Sequence, residues 1–160
     1  MLIIETGEIV PGADSFATAA ELTVYAASFG ASIPVDEVAQ ESLLRRAALQ
    51  MASMPWQGGY VSGDQALAWP RRGVVRFGFH VPNDSIPAAI KQGQMALAAE
   101  IHADDLDPPE QRTGAVKQER VEGAVTVQYA DPVAAVTTRQ SAAQFAGYLG
   151  SSSQSRVVRA

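Results

Sequence analysis

Cysteine is absent from the 160 residues. Its absence excludes a disulfide framework, a thiolate nucleophile and a zinc–thiolate site. Histidine is nearly as scarce, with only His80 and His102. His102 stands close to Asp104, Asp105 and Asp107, but the spacing fits no metal-ligand motif and reads as a solvated acidic helix end. Neither histidine is placed by sequence to activate Ser85, and Asp84-Ser85 is not a nucleophile elbow. Gly58, Gly59 and Gly63 lack the Lys-Ser or Lys-Thr that a phosphate-binding loop requires. No apolar stretch approaches the roughly 18 to 20 residues that span a bilayer. Met1-Leu2-Ile3-Ile4-Glu5 has no basic flank, and its apolar run is too short for a signal peptide. The expectation is a non-enzymatic chain without metal, cofactor or membrane partner, made in a reducing cytoplasm.

Basic residues are also in the minority, with 12 Lys plus Arg against 17 Asp plus Glu, a net charge of −5. A surface that binds nucleic acid must neutralise phosphates, which a net acidic chain can do only locally. An acidic surface suits a conduit through which DNA slides without being held. Hydrophobic residues make up 47% of the chain. Much of that is alanine, which favours close helix packing and buries little area per residue.

Local signals place the elements. Leu2 to Val10 reads as a short strand or an extended arm, ended by the Pro11-Gly12 turn. Thr18-Ala19-Ala20-Glu21 matches a capping box, and Gly30 supplies a stop, which predicts a helix from about Ala19 to Phe29. Pro34-Val35-Asp36-Glu37 opens a second helix that Pro55 ends. Its buried stripe is read as Val38, Leu44, Ala47, Ala48 and Met51. Arg45 and Arg46 lie off that stripe, either solvated or at a subunit contact. Val74 to Val81 reads as a short strand or irregular crossing. Asp84-Ser85-Ile86-Pro87 starts a third helix, with Ser85 or a neighbour as cap and Pro87 in the first turn. Ile86, Ile90, Leu97 and Ile101 form its stripe, Gly93 marks a close helix approach, and its end falls near Ala103. After an acidic Pro108-Pro109 loop, Val116–Val121 and Ala124–Tyr129 read as a hairpin across Glu122-Gly123. After Asp131-Pro132, a segment rich in Ala and Val leads to Phe145, Tyr148 and Leu149 and reads as a last short helix. Gly150 to Ser155 is a flexible linker by composition.

Between the second and third helices the chain reads Gln65-Ala66-Leu67-Ala68-Trp69-Pro70-Arg71-Arg72-Gly73. The X-Pro bond keeps Trp69 out of the helical region, so this stretch is a rigid extended corner. It is either a tryptophan packed on the core beside two solvated arginines or a working surface. Trp56, Tyr60 and Trp69 with Arg71, Arg72 and Arg76 have the makings of a base-stacking platform with basic flanks.

The order of these features resembles the head-to-tail connector (adaptor) proteins of tailed phages: Gln-x-Leu-x-Trp-Pro-Arg-x-Gly, an Ile-Pro-led helix, and a Gly-containing turn into Val125-x-Val127-x-Tyr129. A Leu-Gly step and a short apolar-basic tail follow. That family is also labelled DnaT-like single-stranded-DNA-binding. The resemblance implies a mainly α subunit, a bundle of three to four helices with a long Trp-Pro loop, a β-hairpin and an extended C-terminal arm. Residues 1–149 form one domain, with the hairpin at about 115–129, and residues 150–160 the arm. It implies a structural virion protein, assembled as a ring, usually dodecameric, beneath the portal. Such a ring extends the DNA channel without binding DNA specifically and presents a surface to tail components. Arg156, Val157, Val158, Arg159 and Ala160 are the expected portal-binding arm. Trp56, Trp69, Pro70, Arg71 and Arg72 are the expected subunit interface. The alternative is a single-stranded-DNA-binding or replication-accessory protein.

Overall fold

The computed structural model describes residues 1–107, 119–120, 126–127 and 139–150. An N-terminal arm crosses to the next segment by a parallel bridge between Ile4 and Ser15. Its anchor is Glu5, 1% exposed, whose carboxylate accepts from the backbone N–H groups of Gly7, Ile9 and Val10. A buried carboxylate is tolerated when its lone pairs are met in this way. Gly7 stands at φ +110, and a Cβ there would strike the Asp84 carbonyl.

Helix α1 spans Ala19–Phe29, and its start and stop are those that Thr18, Glu21 and Gly30 predict. Thr18 accepts from the Glu21 N–H, Glu21 reaches back to the Thr18 N–H, and Gly30 takes the left-handed conformation at φ 66. Helix α2 spans Glu37–Ala52. Its cap is Asp36, which accepts from the Ala39 N–H, so Pro34 and Val35 stay outside the helix. Leu44, Ala47, Ala48 and Met51 are buried as read from sequence, with Leu43, but Val38 is 71% exposed and leaves the stripe. The buried face instead includes Gln40 and Glu41. Gln40 donates to the Pro34 carbonyl, and Glu41 accepts from Arg45.

Two short antiparallel ladders fill the connection to the third helix. Strand β1, Gly59–Tyr60, pairs with β2, Arg71–Arg72. Strand β3, Val75–Arg76, pairs with β4, Phe79–His80, so Val74 to Val81 is a tight hairpin. Helix α3, Ala88–Leu106, starts after Pro87, which occupies the cap position without a side-chain bond. The Ser85 hydroxyl donates to the Pro82 carbonyl and caps nothing. The helix continues three residues beyond the expected end at Ala103 because its acidic last turn is neutralised from outside. Asp105 accepts both ends of the Arg46 guanidinium, and Asp104 accepts Arg139. Without those cations, acids at a helix C-terminus would oppose its dipole.

Strands β5, Glu119–Arg120, and β6, Thr126–Val127, pair antiparallel within the hairpin read from sequence. Helix α4, Gln140–Phe145, lies along α3. Glu100 of α3 accepts from both the backbone N–H and the hydroxyl of Ser141, at 2.9 and 2.6 Å, capping α4 from a neighbouring helix. Gly93 permits the close approach: a Cβ there would overlap the Phe145 ring. The result is a mainly α domain, with α3 packed against α2 on one side and α4 on another.

One core residue breaks the apolar stripe of α3. Gln94 is fully buried. Its Oε1 accepts from the Phe16 and Ala17 N–H groups, and its amide nitrogen donates to the Leu44 carbonyl and the Ser15 hydroxyl. A single side chain thereby fastens the segment before α1, helix α2 and helix α3 together. A glutamine four residues after Ile90 and three before Leu97, in the middle of the stripe, was the sequence signal for it.

Candidate functional site

Gln65, Leu67, Trp69, Arg71 and Gly73 of the Gln-x-Leu-x-Trp-Pro-Arg-x-Gly stretch each have a structural task. Gln65 accepts from the Val61 N–H and donates to the Leu67 and Pro70 carbonyls, bracing the corner from within. Leu67 is buried, Trp69 is 0% exposed, and the Trp69–Pro70 peptide is cis. Trp69 meets the Trp56 ring edge-on at 5.9 Å and the Tyr148 ring at 5.5 Å, and Trp56 meets Phe145 at 5.1 Å. These four aromatic rings join the loop to the α4 region. Trp56 Nε1 donates to the Met51 carbonyl at 2.6 Å. Among the described residues Trp69 Nε1 is buried without a partner, and Trp69 acts here through packing area.

Arg71 departs furthest from its sequence reading. It is 7% exposed and not solvated. Its Nε donates to the Gln57 carbonyl at 2.7 Å, Nη1 to Ala68 at 3.1 Å and Nη2 to Gly58 at 3.0 Å. The planar fork of donors suits three carbonyls converging on one side chain. Gly58, at φ 67, completes the staple, since a Cβ there would strike the Arg72 carbonyl. Gly73 turns the chain out of the corner at φ 75.

Of the five residues expected at a subunit interface, Trp56, Trp69, Pro70 and Arg71 are therefore buried inside this subunit, and Arg72 alone is exposed. The base-stacking platform read from sequence does not assemble either, because both tryptophans are covered and Arg71 is engaged. Arg45 and Arg46 are likewise paired, Arg45 with Asp14 and Glu41 and Arg46 with Asp105. The Arg46 hydrogen bond holds the Asp105 carboxyl below its ordinary range. The expected portal-binding arm, Arg156 to Ala160, lies outside the described residues.

The surface that is available begins three residues after Arg72. In the β3–β4 hairpin Phe77 is 85% exposed and Phe79 76%. Arg76 anchors the hairpin to the body, its guanidinium 4.5 Å from the Phe77 ring centroid and 4.7 Å from that of Tyr148. No acid occurs between Asp64 and Asp84, a stretch holding three arginines and His80. A second apolar surface is a groove between α1 and α3, lined by Val24, Tyr25, Phe29 and Met95 together with Glu21 and Gln92. Burial, with Glu100 nearby, pushes the Tyr25 phenol up, so it stays neutral. Glu21 is partly buried, which alone would raise its carboxyl, yet hydrogen bonds from Lys91 and Thr18 hold it below the ordinary value. Among the described residues no three His, Asp or Glu side chains converge as metal ligands, and no helix is long and apolar enough to cross a membrane.

Fold and surface together define a small, mainly α domain whose signature motif is an internal staple and whose accessible features are apolar patches. The chain belongs to the family described as "Putative DnaT-like ssDNA binding protein", whose model matches residues 1–160. No curated protein and no solved structure matches it. The family match carries a single-strand-binding description and makes no reference to phage connectors.

Proposed function

We propose that this protein is a structural subunit of a phage head-to-tail connector, working through interfaces rather than catalysis. In this reading copies assemble as a ring on the portal, extend the DNA channel and offer a surface to tail components. The observation that carries it is the distribution of exposed large apolar side chains. Val24 and Phe29 on α1, Val38 and Leu49 on α2, and Phe77 and Phe79 on the hairpin are all exposed in the single subunit. Apolar surface spread over several elements suits a subunit that contacts neighbours and partners on more than one face. The net charge of −5 suits a channel that passes DNA without retaining it.

A second reading, single-stranded-DNA binding, is favoured by the family description and by one feature of the surface. The hairpin offers exposed phenylalanines beside Arg72 and Arg76 in an acid-free stretch, the combination that single-strand binders use. The deciding measurement is mass photometry of the chain with and without a candidate portal ring, paired with an oligo-dT titration at two salt concentrations. Large complexes that appear with portal, and no DNA binding, support the connector. Tight, salt-sensitive binding to oligo-dT without portal association overturns it in favour of single-strand binding.

A further inference from the structure

We infer that the β3–β4 hairpin of one copy seats in the α1–α3 groove of the next, making the repeated contact of the ring; the inference rests on the connector reading. The hairpin is built to project. Its turn places Phe77 at φ 52 and Gly78 at φ 83. Two consecutive left-handed residues give the tight turn that follows strand twist, but a bulky side chain rarely adopts that conformation. Strained backbone of this kind is retained where the surroundings over-determine it, often at working surfaces. Here it directs two phenyl rings into solvent while Arg76, held between Phe77 and Tyr148, fixes the base of the hairpin. A hairpin pinned at its base by such contacts loses less freedom on docking than a loop without them.

The groove is the matching surface. Val24 and Phe29, 67% and 51% exposed, lie there beside Tyr25 and Met95. Two phenylalanines bury about 150 to 250 Å² each, a large share of the roughly 800 Å² that each partner contributes to a stable interface. Charge favours a second copy as the occupant. Residues 65–83 carry no acid and three arginines, of which Arg71 is buried, and the chain outside them has 9 Lys plus Arg against 17 Asp plus Glu, or −8. Glu21 is the only formally charged residue lining the groove, and its side chain is 42% exposed beside Lys91. Hairpin and groove share no residue, so the contact joins unlike surfaces. Contacts of that kind propagate from copy to copy and close into rings when the rotation permits.

The test uses the full chain and two variants, Phe77→Ala/Phe79→Ala and Val24→Asp, all at exposed positions, with melting curves confirming that each folds. Each variant alone should self-associate, or assemble on the portal, about tenfold or more weakly than the parent chain. An equimolar mixture should form pairs and grow no further, because each pair has only one intact hairpin facing one intact groove. Normal rings from Phe77→Ala/Phe79→Ala would overturn the hairpin contact and leave the connector reading standing. Large rings from the mixture would overturn it too, since growth would then need neither surface. A parent chain that never assembles, while the double variant loses oligo-dT binding, would place nucleic acid on the hairpin and overturn both readings.

Discussion

Two adjoining segments use the same kinds of residue to opposite ends. The Trp69 corner and the Phe77 hairpin each combine aromatic rings with an arginine and a left-handed glycine. In the corner, the arginine meets three backbone carbonyls and the aromatic rings stack edge to face inside the domain. In the hairpin, the arginine lies against a ring on the surface and the phenylalanines face solvent. The difference lies in who supplies the partners. Arg71 is reached by carbonyls from Gln57 and Gly58, across the β1–β2 ladder, whereas Phe77 and Phe79 have no such cover. The stretch that carries the family resemblance is thus spent inside the subunit. Here the most recognisable stretch holds the subunit together, and the less recognisable one is left to meet something else.

The sharpest way to break this comparison is to truncate one aromatic from each side. Trp69→Ala should cost roughly 3–5 kcal/mol, because a fully buried indole leaves a cavity that its neighbours cannot close. On a domain of this size that lowers Tm on the order of 10 °C. Phe79→Ala should change stability by no more than about 0.5 kcal/mol, as exposed substitutions generally do. Urea denaturation of the two variants beside the parent checks both figures, and similar losses from the two would show that the corner and the hairpin are not divided into inside and outside.

The same contrast applies to the neighbouring arginines. Arg71→Ala leaves the Gln57, Gly58 and Ala68 carbonyls without their donor, and should cost about 1–3 kcal/mol. Arg71→Lys should recover little of this, since an ammonium cannot reach three carbonyls in the plane of a guanidinium. Arg72→Ala should be close to neutral in the single subunit. Equal stabilities for Arg71→Ala and Arg72→Ala would contradict the staple.

How much of this was legible depended on how local the cause was. Helix α1 could be read end to end because Thr18, Glu21 and Gly30 are its own residues and act within one turn of themselves. The start of α2 was displaced from Pro34 to Asp36, because Asp36 offers the Ala39 N–H a side-chain oxygen and Pro34 has none to offer. Val38 was misassigned to the buried stripe: six residues before Leu44, it lies well round the helix from it. The close approach at Gly93 was legible from the residue alone, although its partner Phe145 was not. Arg71 was not legible as a buried group, since its acceptors stand up to 14 residues earlier in the chain. Nor was the run of α3 to Leu106, which depends on Arg46 and Arg139 from other parts of the chain. The exposed hairpin left a trace, an acid-free run of Arg76-Phe77-Gly78-Phe79-His80, that weighs more once the tryptophans are known to be covered.

Between the buried staple and the open hairpin stands Glu21, whose side chain is 42% exposed. It belongs both to the cap of α1 and to the groove, where Lys91 donates to it at 2.8 Å. Burial works against its charge, but the bonds from Lys91 and Thr18 outweigh that and lower its pKa from 4.5. A carboxylate with a lowered folded-state pKa contributes stability that is fully present above the unfolded-state value, and loses it as pH falls through the folded-state value. The parent chain should therefore lose its advantage over Glu21→Gln as pH is taken from 6 to 3, with the two Tm curves converging in acid. Parallel curves over that range would mean that the charge on Glu21 adds nothing to the cap, and that its hydrogen bonds serve equally well from a neutral amide.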